Sequence, residues 1–390
     1  MLKALEGSQA LARTVALCRP QVVAAYPITP QTHIVENIAK LVADGALDCE
    51  YVSVESEFSA ASVALGAAAA GSRAYTASAS QGILLMTEVL YNIAGMRIPM
   101  VMTCANRAIS APLSIWNDHQ DAMSVRDAGW IQLYCADNQE AVDTTIQAYR
   151  IAERTELPVM VCVDGFTLTH TLEPLSLPTQ EQVDGFLPPY QFSRTLDPRQ
   201  PITMGTLVSP DYYPEARHSH HQALIKAQQE IIAADDDWAA VCGRHSGGLL
   251  KVEGSEDAEI AILSMGSIMG TLADARAEDP RQNQVKLIHL RSFRPFPLEA
   301  LREICSGLKH LVVLERALSP GGGGILGSEV RAALSELPER PKVHNFAVGL
   351  GGRDIPLDLY DRVLQTARAG GDGEFRIFDV ELEKLPPEDR

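Results

Sequence analysis

The sequence predicts an α/β protein with a mostly parallel sheet covered on both faces, followed by a second α/β domain. Three observations carry this expectation. Apolar, β-rich runs recur at Val22–Ala25, Tyr51–Val54, Ala74–Ala77, Pro99–Cys104, Ile131–Cys135 and Pro158–Val163, separated by helix-like segments. After a long irregular stretch the alternation resumes at Ala258–Ser264, Val285–Leu290, His310–Glu315 and Val343–Val348. Finally, 390 residues with 46% hydrophobic content suffice for two cores.

The strand Val22–Ala25 runs into Tyr26-Pro27-Ile28-Thr29-Pro30. Each proline fixes its own φ and pushes the residue before it toward extended backbone, so Thr29 is held in a preset orientation. That suits a ligand-facing hydroxyl at the carboxyl edge of a sheet, where open α/β folds bind ligands. The plainer reading is a strand-to-helix turn in which Thr29 caps a helix over 30–43. After Tyr51–Val54 come Glu55 and Glu57, either of which a helix start would favour through its dipole. The helix expected over 59–70 is made almost wholly of small side chains. It can therefore approach a neighbouring backbone closely, whether in a sheet, a helix or another subunit.

Arg107 follows Pro99–Cys104, again at a carboxyl edge. Its guanidinium offers paired donors that match a carboxylate, although a loop arginine is more often only a surface charge. The run Asn117-Asp118-His119-Gln120-Asp121 is polar and suits a network at a subunit contact or helix start; no catalytic role is read from it. From Glu173 to Asp257 the prolines Pro174, Pro178, Pro188, Pro189, Pro198, Pro201 and Pro210 break the first half, and one helix from Tyr213 to about Ala234 fills the second. A structureless loop of that length is unusual in a compact domain, so a connector wrapping over another surface is expected. The domain boundaries expected are thus 1–172, 173–257 for the connector, and 258–390, the last with helices near 267–278, 298–308, 325–335 and 357–368.

Composition narrows the function. The formal net charge is −17 with no basic run, which argues against nucleic acid as a partner. No apolar stretch is long enough to span a membrane, and no basic region leads into an apolar signal segment, so a cytoplasmic address is expected. Cys18, Cys49, Cys104, Cys135, Cys162, Cys242 and Cys305 are scattered at intervals of 27 residues or more, unlike an iron–sulfur or zinc ligand set. Cys104 and Cys162 lie in apolar runs and read as buried reduced thiols. Gly322-Gly323-Gly324-Ile325-Leu326-Gly327 fits a dinucleotide-binding pattern, but Leu318-Ser319-Pro320 intervenes after the strand, and a glycine-rich turn into a closely packed helix is the better reading. His218, His220 and His221 could put two imidazoles on one helical face, yet no acid or thiol supplements them, and a solvated polar face is expected.

Several blocks follow in a recognisable order: Tyr26-Pro27-Ile28-Thr29-Pro30, Val54-Glu55-Ser56-Glu57, Thr76 to Gly82, Asn106-Arg107-Ala108-Ile109 and Ser114 to Asp121, then Asp164-Gly165-Phe166 and Gly349 to Asp354. With them the chain resembles the alpha subunit of pyruvate:ferredoxin oxidoreductase and its 2-oxoacid:acceptor oxidoreductase relatives from about Ala10 to Asp361. The resemblance implies a thiamine-enzyme pyrimidine-type domain followed by a domain like the carboxyl-terminal part of transketolases. It also implies CoA-dependent oxidative decarboxylation of a 2-oxoacid, most simply pyruvate, on thiamine diphosphate, with electrons passed to iron–sulfur clusters and ferredoxin. In that register Glu57, before the small-residue helix, is the carboxyl beside the pyrimidine. Arg107 holds the 2-oxoacid carboxylate, Thr29 donates to the substrate, and the Tyr26-Pro27 backbone lines the pyrimidine pocket.

Gly371-Asp372-Gly373 looks like the start of the magnesium–diphosphate motif of thiamine enzymes, but only 17 residues follow it and none is asparagine. The resemblance then implies magnesium and the 4Fe–4S clusters in a beta subunit, alongside gamma and ferredoxin-like subunits, with coenzyme A as co-substrate. The alternatives are the same machinery acting on a branched-chain or aryl 2-oxoacid, with NAD as acceptor through a flavoprotein, a non-oxidative thiamine enzyme, and a non-catalytic paralogue.

Overall fold

A computed structural model describes residues 2–281, 284–370 and 373–390. Gly371 and Asp372 of the truncated glycine–aspartate motif lie outside the described residues. The chain divides into two compact units, Met1–Lys251 with Leu290–Pro297, and Val252–His289 with Leu298–Arg390.

The first unit contains, in chain order, β1 (Lys3–Glu6), α1 (Gly7–Leu17), β2 (Val22–Ala25), α2 (Thr32–Ala43), β3 (Glu50–Ser53), α3 (Glu57–Ala69), β4 (Ala74–Ser78), α4 (Ser80–Leu85), α5 (Thr87–Gly95) and β5 (Val101–Asn106). It continues with α6 (Gln120–Ser124), β6 (Ile131–Tyr134), α7 (Asn138–Thr155), β7 (Val159–Asp164), β8 (Leu172–Leu175), α8 (Gln180–Phe186) and α9 (Tyr213–Cys242). The strand β9 (Leu250–Glu253) leads into the second unit, where β10 (Ile260–Ser264), α10 (Ile268–Glu278) and β11 (Val285–Leu290) follow. The chain then gives β12 (Ser292–Arg294) back to the first unit and resumes with α11 (Leu298–Cys305), β13 (His310–Glu315), α12 (Ile325–Leu334), β14 (Lys342–Ala347), α13 (Leu359–Arg368) and β15 (Arg376–Ile377).

The seven-stranded sheet has the order β12-β6-β7-β5-β4-β2-β3 and is parallel throughout except for the antiparallel edge β12. Its central strands β4, β5 and β7 are buried along their whole length, which is why they read as unbroken apolar runs. The small-residue helix α3 packs on β2 and β4, with Ala60, Ala61, Ala64 and Ala68 buried against them. Its start is two residues earlier than expected: Ser56 is the N-cap, its hydroxyl accepting from the Ser59 amide at 3.2 Å, so Glu57 is the first helical residue.

The boundary expected between 172 and 173 does not divide the molecule. The segment through Lys251 belongs to the first unit, and so does Leu290–Pro297. The reason lies in α9, which runs on to Cys242 and sends Ala227, Ile231, Ala234 and Trp238 into the first core. Polar groups key it to α7: the Trp238 indole donates to Asp143 at 2.9 Å, and Gln147 donates to Asp235 at 3.0 Å. Of the three histidines expected on a solvated polar face, His218 and His221 are exposed, but His220 is buried, with its ring against Gly129.

The second sheet has the order β15-β14-β13-β10-β11-β9. Its glycine-rich turn carries a specific closure. At the start of α12 the backbone amides of Ile325, Leu326 and Gly327 donate at 2.8, 2.8 and 3.0 Å to the carboxylate of Glu315, the last residue of β13. Asn345 Nδ2 adds a fourth bond at 2.7 Å. A Cβ on Gly327 would stand 2.2 Å from the Asn345 amide, so glycine is required for this approach. The helix end that would bind a phosphate in a dinucleotide site is filled by the protein's own acid.

Candidate active site

The sheet order β7-β5-β4-β2-β3 sets the carboxyl ends of five parallel strands side by side. At or just beyond those ends lie Asp164-Gly165, Arg107, Ser80, the Tyr26–Pro30 turn and Glu57, so residues up to 139 positions apart in sequence share one edge.

Glu57 is 7% exposed, and among the described residues no hydrogen bond reaches its carboxylate. Its neighbour is Gly82 in α4: a Cβ there would stand 2.7 Å from Glu57 Cγ, 2.8 Å from Oε1 and 2.3 Å from the Ser78 hydroxyl. The Ser78 hydroxyl and the Gln81 Nε2 are buried without a partner. Buried polar groups are ordinarily paired, so the unpaired Ser78 hydroxyl close to an unpartnered carboxylate leaves hydrogen-bonding capacity open at this edge. Glu55 differs: it is exposed and accepts from the Ser59 hydroxyl at 2.8 Å.

Arg107 follows β5 and is also 7% exposed. Its Nε donates to the Ser114 carbonyl at 3.0 Å and its Nη1 to the Thr29 carbonyl at 2.9 Å. Nη2 has no protein partner among the described residues. Burial lowers the guanidinium pKa, with the Asp121 charge opposing. Thr29 and Arg107 are thus brought together, through the backbone carbonyl of Thr29 rather than its hydroxyl. Tyr26 and Pro27 occupy the exposed part of the same turn. Gln31 braces it, accepting from Ile28 N at 3.2 Å and donating to Ala77 O at 2.8 Å. No hydrogen bond joins Glu57 to the Arg107–Thr29 pair among the described residues.

Sequence reasoning left the polar run at 117–121 without a role, and the structure gives Asp121 one. It is fully buried and accepts from the backbone amides of Ser80 and Arg107 at 2.8 and 2.9 Å and from Asn106 Nδ2 at 2.9 Å. Burial raises its pKa, and these donors oppose the shift. One carboxylate therefore fixes both the turn after β4 and the start of the Arg107 loop. The hold matters because Ser80 has φ +49°, a left-handed conformation that costs about 1–3 kcal/mol in a non-glycine residue. In the same run His119 pairs with Asp164 at 2.7 Å, both buried. The only sequence signal for this network was the run's polarity, since its partners lie on other strands.

Comparison with known proteins adds a family to this geometry. Residues 13–235 match the family described as pyruvate flavodoxin/ferredoxin oxidoreductase, thiamine diP-bdg, and residues 258–359 match pyruvate:ferredoxin oxidoreductase core domain II. The pyruvate synthase subunit PorA of Methanosarcina barkeri is 47% identical, over 98% of this chain and 97% of its own. The ketoisovalerate oxidoreductase subunit VorA of Pyrococcus horikoshii is 42% identical, over 90% of each. Among solved structures, a 2-oxoglutarate:ferredoxin oxidoreductase from Magnetococcus marinus superposes with a TM-score of 0.71 at 19% identity, covering 93% of this chain and 65% of that one. A split-gene transketolase superposes at 0.55 with 15% identity, covering 94% and 99%, and these two likenesses agree with the pair of thiamine-enzyme-type α/β folds expected. No helix among the described residues is long and apolar enough to cross a membrane. The match over residues 13–235, together with near-full-length identities above 40%, establishes that the chain belongs to the pyruvate flavodoxin/ferredoxin oxidoreductase family and carries its thiamine diphosphate-binding domain.

Proposed function

We propose that this chain is the alpha subunit of a pyruvate:ferredoxin oxidoreductase that converts pyruvate and coenzyme A to the acyl thioester and carbon dioxide. The observation that carries the reading is the unpartnered Glu57 carboxylate at the head of α3. The residues around it fit a thiamine diphosphate pyrimidine: a buried acid without a partner, a glycine that keeps the space beside it open, and the unpaired Ser78 hydroxyl. When bound, thiamine diphosphate supplies the electron sink on which a 2-oxoacid loses carbon dioxide. Glu57 holds and shares a proton at the pyrimidine ring nitrogen, while the Tyr26-Pro27 backbone lines that pocket. Arg107 presents Nη2 to the substrate carboxylate, its other nitrogens being held by Ser114 and Thr29. The Thr29 hydroxyl donates to the same substrate.

Magnesium, the diphosphate motif and the 4Fe–4S ligands are assigned to a beta subunit, with gamma and ferredoxin-like subunits completing a cytoplasmic complex. The exposed apolar side chains Phe58 on α3, Leu84 and Leu85 on α4, Tyr91 on α5 and Trp116 support a partner surface around the site. Pyruvate is favoured by the relatives named pyruvate synthase, at 43–47% identity. A branched-chain 2-oxoacid is the second reading, favoured by the ketoisovalerate oxidoreductase subunit at 42%.

The test is dye reduction by the reconstituted complex with pyruvate, 2-oxoisovalerate and phenylglyoxylate, for the parent and Arg107→Lys. Pyruvate should give the highest kcat/KM. The lysine keeps the charge but loses the fork, so apparent affinity should fall about tenfold or more while thiamine diphosphate content stays constant. Preference for another acid overturns the substrate, and loss of the cofactor overturns the role of Arg107.

A further inference from the structure

Glu6, His33 and His170, none of them used in the reading above, come together in the first unit. Glu6 closes β1, His33 is the second residue of α2, and His170 lies in the turn before β8. Backbone bonds fix the framework: β1 and β8 pair antiparallel with Glu6 opposite Leu172, and Ser8 N donates to Thr169 O at 2.9 Å. His33 Nδ1 stands 2.9 Å from Glu6 Oε1, and the rings of His33 and His170 lie 4.6 Å apart, tilted by 34°. One nitrogen of each imidazole and one carboxylate oxygen all lie within 4.8 Å of one another.

Two of the three groups have an orienting partner: Ser8 Oγ donates to Glu6 Oε1 at 3.0 Å, and Thr169 Oγ1 pairs with His170 Nδ1 at 2.8 Å. Such outer contacts are the usual accompaniment of a metal site. A surface Glu–His pair needs no second imidazole and stabilises little by itself.

We propose that Glu6, His33 and His170 form a binding site for a divalent transition metal ion of the zinc class, with water completing its coordination. Three atoms mutually within 4.8 Å share a centre no more than about 2.8 Å from each, and zinc bonds to nitrogen and oxygen are about 2.0–2.2 Å long, so sub-ångström side-chain movement closes the site. Nitrogen and carboxylate ligands select such an ion over magnesium or calcium, which take oxygen. The His33 side chain is 47% exposed and leaves an entry path.

The site is also wired to the Arg107 loop by aromatic contact. The His170 ring meets Phe166 at 4.7 Å and Phe166 meets Trp116 at 4.6 Å, both pairs tilted, while Trp116 O accepts from Ala108 N at 2.9 Å. A bound paramagnetic ion therefore has a fluorescent reporter two ring contacts away.

The full-length chain, stripped with a chelator, is titrated with zinc chloride by calorimetry and with cobalt(II) by visible absorption and tryptophan fluorescence. One ion per chain is expected, with quenching that is lost in Trp116→Phe. His33→Gln, at an exposed position, and His170→Gln should each weaken the site by at least about tenfold, the effect even an outer partner commands. A double variant at His218 and His221 should keep it. Unchanged affinity in both His33→Gln and His170→Gln, loss of binding only in the His218/His221 variant, or the lack of one-to-one binding in the parent would each overturn the proposal.

Discussion

Glu57 in the first unit and Glu315 in the second are both buried carboxylates beside a helix start, and the protein treats them in opposite ways. Glu315 is 2% exposed and accepts from three consecutive backbone amides and from Asn345. Glu57 is 7% exposed and accepts from none of the described residues. Burial alone does not separate these two acids; the number of donors does. A saturated carboxylate has no acceptor capacity left, so it closes its helix end, whereas an unsaturated one keeps its lone pairs open to an incoming donor.

The largest expected effect falls on the unsaturated acid. Glu57→Gln in the reconstituted complex should lower kcat by at least about a hundredfold, within the range for losing general acid–base help, and leave the melting temperature unchanged. A variant that keeps near-parent turnover would break the comparison on its functional side, and a loss confined to Glu55→Gln would move the role to that residue. Glu315→Gln should do the reverse. Its new amide group faces donors rather than acceptors, so stability should fall by about 1–3 kcal/mol in a urea titration, while turnover per folded molecule stays at the parent level. Equal activity loss in both variants would erase the distinction. Asp121 sharpens it, being saturated like Glu315 yet bonded to the Arg107 backbone. Asp121→Asn should raise the apparent KM for the 2-oxoacid about fivefold, roughly 1 kcal/mol, with the thiamine diphosphate content intact; a purely structural role would lower stability and leave KM alone.

The parallel strands were legible because each carries its apolar signal locally. Val22–Ala25 and His310–Glu315 occupy the residues expected, since a strand buried on both faces admits no polar interruption. The end of α9 was not legible: Asp235 and the residues around Trp238 look solvent-facing until Gln147 and Asp143 supply their partners from α7. β12 is three residues long and begins two residues after β11 ends, too short to register as a strand of its own. At the site, Thr29, Glu57 and Arg107 stood out because each belongs to a short contiguous block. Asp121 did not, because its partners Ser80 and Asn106 are 41 and 15 residues away in sequence. Glu6, His33 and His170 share no sequence window, whereas His218, His220 and His221 share one and still form no cluster.

The return of β12 to the first sheet has a consequence for synthesis. β6, Ile131–Tyr134, acquires its outer neighbour only when Ser292–Arg294 has been made. A nascent chain that has reached Lys251 still lacks the next 41 residues up to Ser292. At about 5–20 residues per second that is a wait on the order of 2–8 s, during which an apolar strand stays unpaired on one side. Bare edges of this kind template pairing between chains. A fragment that stops at Lys251 keeps the edge permanently, and holdase binding should concentrate on β6 until the ribosome has passed Arg294.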